Sequence, residues 1–360
     1  MQVEEKYMAR CMELAGYGRP SVAPNPMVGA VIVHRGRIIG EGYHRRYGEA
    51  HAEVNAIASV RDATLLRDAT LYVNLEPCSH FGKTPPCTQL IIRKHIPRVI
   101  VSCLDPFPAV SGRGVKMLRE AGVEVVTDVM KHEATALNRV FITAHSKNRP
   151  YIILKWAESV DGYLDRLRTS AVQAPVQLST AATRRLVHKL RSEVSAILVG
   201  TNTVRLDNPS LTVRHWVGAS PVRVCIDRRL SVPASCHVLD GSIPTLVFTE
   251  KEQAGNGRTE YVRIDFEDEV VPQILRNLYE RRLYSLLVEG GACLHRSFLN
   301  TGLWDELQVE TAPVHLGSGI KSADIHINEA YEMKKRFSVH SSSRNKLNET
   351  IITVYSRKYL

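Results

Sequence analysis

Four residues carry the chemistry this chain can do: His51, Cys78 and Cys87, with Glu53 two positions after the histidine. Imidazole nitrogen and thiolate are donors that zinc prefers, and a catalytic zinc site uses three protein ligands plus a water. His51 and the two cysteines supply that count. A closed structural site takes four ligands, so the trio points to a catalytic metal. Glu53, at the start of a helix, can face the open position without binding the ion. There it would take a proton from the activated water and pass it to a leaving amine. Zinc makes hydroxide available near neutral pH, which is the nucleophile that amine hydrolysis needs.

Regular elements must position these side chains. Tyr7, Met8, Cys11 and Leu14 have helical spacing, which predicts a helix over Glu4–Leu14. Gly16–Pro26 is rich in Gly, Pro and Ser and reads as a loop. Val28–Val33 and Arg37–Tyr43 predict a β-hairpin, and a helix from Ala50 onward carries His51 and Glu53. A strand at Thr70–Asn74 leads into the loop Pro77–Pro86, and Cys87–Lys94 opens another helix. A strand at Arg98–Cys103, a helix at Gly114–Glu120 and a strand at Val123–Thr127 follow. Strands alternate with helices, the pattern of a layered α/β fold. The alternation stops near Leu137–Lys147, and Ser146–Pro150 reads as a linker, which gives domains 1–146 and 147–360. In the second half, strands are predicted at Tyr151–Trp156, Ala196–Gly200, Val222–Ile226, Thr245–Phe248, Leu283–Glu289 and Leu307–Ala312. Helices are predicted at Thr180–Glu193, Val271–Arg281 and Ala292–Leu299, so this half is a second α/β domain.

A chain of 360 residues suits two cores better than one, and 44% hydrophobic with 23% charged residues is a soluble globular composition. Met1–Arg10 is polar, and no apolar run reaches the length of a membrane span, so a cytoplasmic location with no membrane partner is expected. Seven cysteines, an odd number without a secretory signal, argue against a disulfide framework. Cys11, Cys103, Cys225, Cys236 and Cys293 are expected to be packing residues. The net charge of +10 is scattered in short pairs such as Arg184–Arg185, with no basic tail or aromatic-interleaved stripe. It reads as solvated surface plus a phosphate site, with no nucleic-acid partner.

The order H-x-E and then P-C…C resembles the signature of cytidine-deaminase-like zinc enzymes, whose cysteines lie two residues apart. Here eight residues separate them. The run Cys78-Ser-His-Phe-Gly-Lys-Thr-Pro-Pro-Cys87, with Pro24–Val33, Gly42-Tyr-His44 and His51–Ala56, resembles the bifunctional riboflavin-biosynthesis deaminase/reductase family, to which the longer spacing belongs. The resemblance implies a cytidine-deaminase-like α/β/α domain that removes the 2-amino group of 2,5-diamino-6-(ribosylamino)pyrimidin-4-one 5′-phosphate. It implies zinc ligation by His51, Cys78 and Cys87, proton transfer by Glu53, and substrate contacts from Asn25, His44, His80, Lys83 and Asp105. A substrate phosphate rewards cationic donors, which suits Lys83 and the histidines. A packing role for His44 and an exposed loop position for Lys83 are the competing readings. Phe107 stands where the family usually carries Asn, so any polar contact from that side chain is lost.

In the second half, Leu287–Leu294 runs an apolar strand into Gly290–Gly291 and then a helix. Glycines let a backbone approach a phosphate, and a helix N-terminus offers free N–H groups. The G-x-G-x-x-G fingerprint is absent, so the residues alone leave a nucleotide site and a tight turn both open. Arg149–Ala157 with Asp161–Gly162, Ala196–Gly200, Thr203–Val204 and Asp207–Arg214 resemble the reductase half of the same family. The resemblance implies a dihydrofolate-reductase-like fold, NADPH, and reduction of the ribosyl group of 5-amino-6-(5-phosphoribosylamino)uracil to ribityl. Cofactor contacts are implied at Ala157, Thr203, Asp207 and the run Gly291, Ala292, Cys293, Leu294, His295, Arg296 and Ser297. Substrate contacts are implied at Arg191, Leu211, Arg214 and Glu289, and the family suggests a homo-oligomer. Gln177 replaces a usual Trp in Pro175–Ser179, and no serine can be placed there against substrate. Two other readings stay open. One is a zinc deaminase of another nucleotide or a tRNA base with an impaired second domain. The other is a second half kept as a scaffold.

Overall fold

The structure, a computed structural model, describes residues 3–19, 21–79, 85–107, 111–326, 329–339 and 349–358. Met1–Asn148 and Arg149–Lys358 form two compact units. Among the described residues no helix is long and apolar enough to cross a membrane.

The first unit opens with α1 (Val3–Gly16), the hairpin β1 (Gly29–His34) and β2 (Arg37–Tyr43), and α2 (Ala52–Ala58). Then come β3 (Thr70–Leu75), α3 (Cys87–Arg93), β4 (Arg98–Cys103), α4 (Arg113–Glu120) and β5 (Glu124–Val126). The sheet order is β2-β1-β3-β4-β5, with β1 antiparallel to both neighbours and β3, β4 and β5 parallel. β1, β3 and β4 are buried nearly throughout, as strands covered on both faces must be. Tyr7, Met8, Cys11 and Leu14 of α1 pack on one face, and Ala52, Ala56 and Ile57 of α2 join the core on the other. A Cβ on Gly42 would lie 2.3 Å from the Ala56 nitrogen, so α2 rests directly on the β2 backbone. Two short helices, α5 (Lys131–Leu137) and α6 (Arg139–Lys147), fill the stretch where alternation was expected to stop.

The second unit begins with β6 (Tyr151–Ser159), β7 (Tyr163–Asp165), α7 (Ala181–Ser192), β8 (Ala196–Gly200), α8 (Thr201–Asp207) and β9 (Val222–Ile226). It continues through β10 (Thr245–Thr249), β11 (Thr259–Arg263), α9 (Val270–Glu280), β12 (Ser285–Val288), α10 (Ala292–Thr301) and β13 (Glu306–Ala312). β14 (Ile320–Lys321), β15 (Tyr331–Val339) and β16 (Thr350–Arg357) complete it. The large sheet has the order β11-β10-β9-β8-β12-β6-β13-β16-β15, parallel from β11 to β13 and antiparallel beyond. β6 runs three residues past the predicted Trp156 because β13 pairs with it as far as Ser159. Ile152, Leu154 and Trp156 pack with Ile274 and Leu278 of α9 and with Leu294 and Phe298 of α10. The alternate residues Ile153, Lys155 and Ala157 therefore face the other side of the sheet. α8, β11 and the β15–β16 hairpin have no counterpart in the sequence reading.

Candidate functional site

Three local features converge in the first unit. His51 is the extended N-cap of α2. Cys78 follows the buried end of β3, and Cys87 is the first residue of α3. The Cys87 N–H donates to Cys78 Sγ at 3.2 Å, and the Thr88 N–H and hydroxyl both donate to the Cys78 carbonyl at 3.2 Å. His51 Nδ1 stands 3.5 Å from Cys78 Sγ and 3.4 Å from Cys87 Sγ. All three candidate ligand atoms lie within 4.8 Å of one another. One imidazole nitrogen and two sulfurs suit zinc in donor type and in number. Cys87 and His51 hold the Cys78 thiol low, to about 4, against the effect of burial. Cys78 and burial push the Cys87 thiol up.

Glu53 is 3% exposed, and its carboxyl is pushed up to about 7 by burial and then by the negative charge of Cys78. His44 is buried against His51, its ring edge-on with centroids 5.7 Å apart. His44 Nδ1 pairs with the Ala50 carbonyl at 3.1 Å, and Asn25 Nδ2 pairs with His44 Nε2 at 3.2 Å. Burial lowers the His44 pKa, which favours the neutral ring. The Asp105 carboxylate accepts the Phe107 N–H at 2.8 Å in a local turn. Phe107 is 46% exposed and sets its ring edge-on to His145, which packs on Phe141. His80 and Lys83 lie outside the described residues.

Sequence reasoning missed the groups that fix these loops. Asn138 accepts the Met27 N–H at 2.8 Å and donates to the Met27 carbonyl at 2.9 Å, while Asn74 donates to that carbonyl at 3.0 Å. Together they pin the loop that presents Asn25. Glu76, 5% exposed, accepts the N–H groups of Asp105, Gly112 and Val115. Its place beside Pro77–Cys78 was the available signal.

In the second unit, a Cβ on Gly290 would meet Val199 at 2.9 Å, so the turn after β12 must lie close against β8. Gly291 has φ +77 and caps α10, and a Cβ there would lie 3.4 Å from Thr203 Oγ1. A bare backbone at the N-terminus of a ten-residue helix, with a threonine hydroxyl beside it, fits a cofactor phosphate. Ala157 is half-buried on β6, and Arg296 and Cys293 are exposed on α10. Ser297 is half-buried, its hydroxyl donating to the Cys293 carbonyl at 3.1 Å. Ala292 and Leu294 are buried. His295, 1% exposed, packs its ring on Trp156 and uses Nε2 on the Val288 carbonyl, so the side chains of Leu294 and His295 turn into the core. Cys293 does not pack as expected, because its place on α10 faces solvent; Cys11, Cys103, Cys225 and Cys236 are buried. Asp207 ends α8 and is paired with Arg168, which also holds Asp165 at 2.6 Å.

Arg191 and Glu289 meet each other in a bidentate pair, Nε–Oε1 at 2.8 Å and Nη2–Oε2 at 2.6 Å, and Arg191 Nη1 also donates to the Thr212 carbonyl. Burial alone would raise the Glu289 carboxyl, but the Arg191 charge outweighs it and holds the group below the usual carboxylate range. Leu211 is buried at φ +54, and Arg214 is exposed, donating to Thr212 Oγ1 at 2.7 Å. Lys155, Glu310 and Ser179 form a linked group on the sheet face beside Ala157. None of the three was singled out from the sequence.

The His51, Cys78 and Cys87 trio of the first unit and the mostly parallel sheet of the second define a two-domain enzyme of zinc type. Residues 1–103 match the cytidine and deoxycytidylate deaminase zinc-binding region, and residues 150–337 match the RibD C-terminal domain. The riboflavin biosynthesis protein RibD of Aquifex aeolicus (strain VF5) is 40% identical over 364 residues, covering 99% of each chain. That of Escherichia coli (strain K12) is 38% identical over 88% of this chain and 89% of its own. A Thermotoga maritima diaminohydroxyphosphoribosylaminopyrimidine deaminase/5-amino-6-(5-phosphoribosylamino)uracil reductase has a TM-score of 0.86 at 37% identity, covering 99% of both chains. The chain belongs to the RibD family. It is a bifunctional deaminase and reductase of riboflavin biosynthesis that uses zinc and NADPH.

Proposed function

We propose that domain 1–146 hydrolytically deaminates 2,5-diamino-6-(5-phosphoribosylamino)pyrimidin-4(3H)-one, and that domain 147–360 reduces the ribosyl group of the resulting 5-amino-6-(5-phosphoribosylamino)uracil to ribityl. The observation that carries the reading is the convergence of His51, Cys78 and Cys87 within 4.8 Å, with Glu53 buried in the first turn of the same helix. His51 Nδ1 and the two sulfurs would hold zinc. When bound, zinc supplies Lewis-acid activation of water for amine hydrolysis. The Glu53 carboxyl, shielded from solvent, accepts a proton and returns it to the departing amine. Asn25, oriented by His44, and Asp105 position the pyrimidine; His80 and Lys83 extend that grip toward the phosphate.

In the second unit the Gly291 backbone, Thr203 and the first turn of α10 cradle the cofactor, with Ala157 and Asp207 at its borders. NADPH supplies hydride to the sugar carbon C1. Arg191 keeps Glu289 ionised and oriented as an acceptor for sugar hydroxyls, Leu211 packs beside them, and the exposed Arg214 meets the phosphate. As the bond from C1 to the ring oxygen breaks, that oxygen needs a proton. We assign that proton to Lys155, which is nearly buried on the same sheet face as Ala157. The reading is of a cytoplasmic homo-oligomer acting on a small molecule, without nucleic acid or membrane partners. Sedimentation and a salt-dependent RNA-binding assay check it.

The test is to incubate zinc-loaded protein with the diaminopyrimidine, with and without NADPH, and identify products by mass spectrometry. Deaminated ribosyl product is expected without NADPH and ribityl product with it. Glu53→Ala should cut deamination about 10²–10⁴-fold while zinc stays bound. Full deaminase activity in that variant would sink the assigned role.

A further inference from the structure

Lys155 on β6 and Glu310 on β13 are neighbours because β13 pairs in parallel with β6, Gln308 opposite Lys155 and Glu310 opposite Ala157. Lys155 Nζ stands 3.3 Å from Glu310 Oε2, with the two side chains 13% and 2% exposed. The Ser179 hydroxyl donates to the same oxygen at 2.8 Å. The other oxygen, Oε1, is buried and has no hydrogen-bond partner among the described residues. As a stabilising device this is poor. Desolvating two charges offsets most of their attraction, and an unpaired buried acceptor adds a further cost. A pair of apolar residues would hold β6 to β13 better. The carboxylate is better explained by what it does to Lys155.

We propose that Glu310, steadied by Ser179, is a positioning residue for the reduction: it holds the Lys155 ammonium in one orientation on the sheet face shared with Ala157. The inference rests on the reductase reading above, in which Lys155 protonates the ring oxygen. The reaction balances as ribosyl substrate plus NADPH plus a proton giving ribityl product plus NADP⁺. Hydride forms the new C–H bond at C1, the bond from C1 to the ring oxygen breaks, and the Lys155 proton completes the hydroxyl. Solvent then reprotonates the amine. The charged and titratable groups around Lys155 come from four elements. Glu310 lies on β13, Glu289 follows β12, Arg191 and His188 of α7 act on Glu289, and His295 of α10 feels the Lys155 charge. Glu310 is the carboxylate that contacts the ammonium directly.

Glu310→Gln keeps the shape and removes the charge. Supplied with the deaminated ribosyl compound and NADPH, this variant should lose about tenfold or more in kcat, with the KM for NADPH within about twofold of wild type. Glu310→Asp, which restores the carboxylate, should recover most of the lost kcat. An unchanged NADPH KM shows that the second unit is folded. A Glu310→Gln enzyme with wild-type kcat overturns the inference, and so does a reduced kcat that Glu310→Asp does not recover or that comes with a raised NADPH KM, the marks of a merely structural role. If wild type shows no NADPH-dependent reduction at all, the reductase reading fails and the inference falls with it.

Discussion

In the first unit His51, Cys78 and Cys87 bring their donor atoms within 4.8 Å of one another, and their chemistry is that of the set. In the second unit oppositely charged side chains are already paired: Arg191 with Glu289, and Lys155 with one oxygen of Glu310. The contrast separates two costs. Removing a ligand side chain takes away chemistry and leaves the packing. Removing one partner of a buried pair strands a charge and lowers stability before any substrate is considered. The three tryptophans, Trp156, Trp216 and Trp304, all lie in the second unit, so tryptophan fluorescence reads its folding alone.

Cys87→Ser is expected to have the largest effect and the narrowest. Deamination should be abolished and zinc content lowered, while NADPH-dependent reduction and the fluorescence-detected denaturant midpoint stay at wild-type values. Metal analysis with the two activity assays checks this, and a matching loss of reduction would end the separation of the units. Arg191→Ala should destabilise the second unit by about 3–5 kcal/mol, because Glu289 is left buried and unpaired. Adding Glu289→Gln should recover most of that loss. A single variant no worse than an exposed pair, costing under about 1 kcal/mol, would erase the contrast. The smallest effect is set by pH. Burial lowers His295, and lowers His188 as well, each to about 4 from 6.5. The folded state therefore binds fewer protons than the unfolded chain. This stability is complete above about 6.5 and is lost as pH falls toward about 4. The fluorescence midpoint should drop across that window, and His295→Gln should flatten part of the drop. An identical pH profile for that variant would place the acid sensitivity elsewhere.

What could be read from sequence follows the same division. The strands Arg98–Cys103, Ala196–Gly200 and Val222–Ile226 appear with the predicted bounds, because a buried parallel strand is a continuous apolar run. His51, Cys78 and Cys87 stood out because residue type alone announces metal chemistry. The Arg191–Glu289 pair joins positions 98 residues apart, and no local pattern marks it. Glu310 sits at an alternate position of Glu306–Ala312, where a carboxylate reads as solvent-facing; only the layer packed above the sheet buries it. β15 is exposed along almost its whole length, with Glu, Lys and Arg in place of an apolar stripe, so it gave no strand signal. α8 is seven residues long, too short for a helical period to show.

The strand order also fixes a timetable for synthesis. The first sheet has all its strands once Val126 has been made. β6 is different: it ends at Ser159, yet its two neighbours, β12 and β13, begin only at Ser285 and Glu306. While the intervening chain leaves the ribosome, both edges of this apolar strand lack their native partners, the condition that invites mispairing with other chains. β6, an interior strand of the second sheet, is thus among the earliest parts of its unit to be made and among the last to be enclosed, so the exposure that chaperones guard against falls on the second half of the chain.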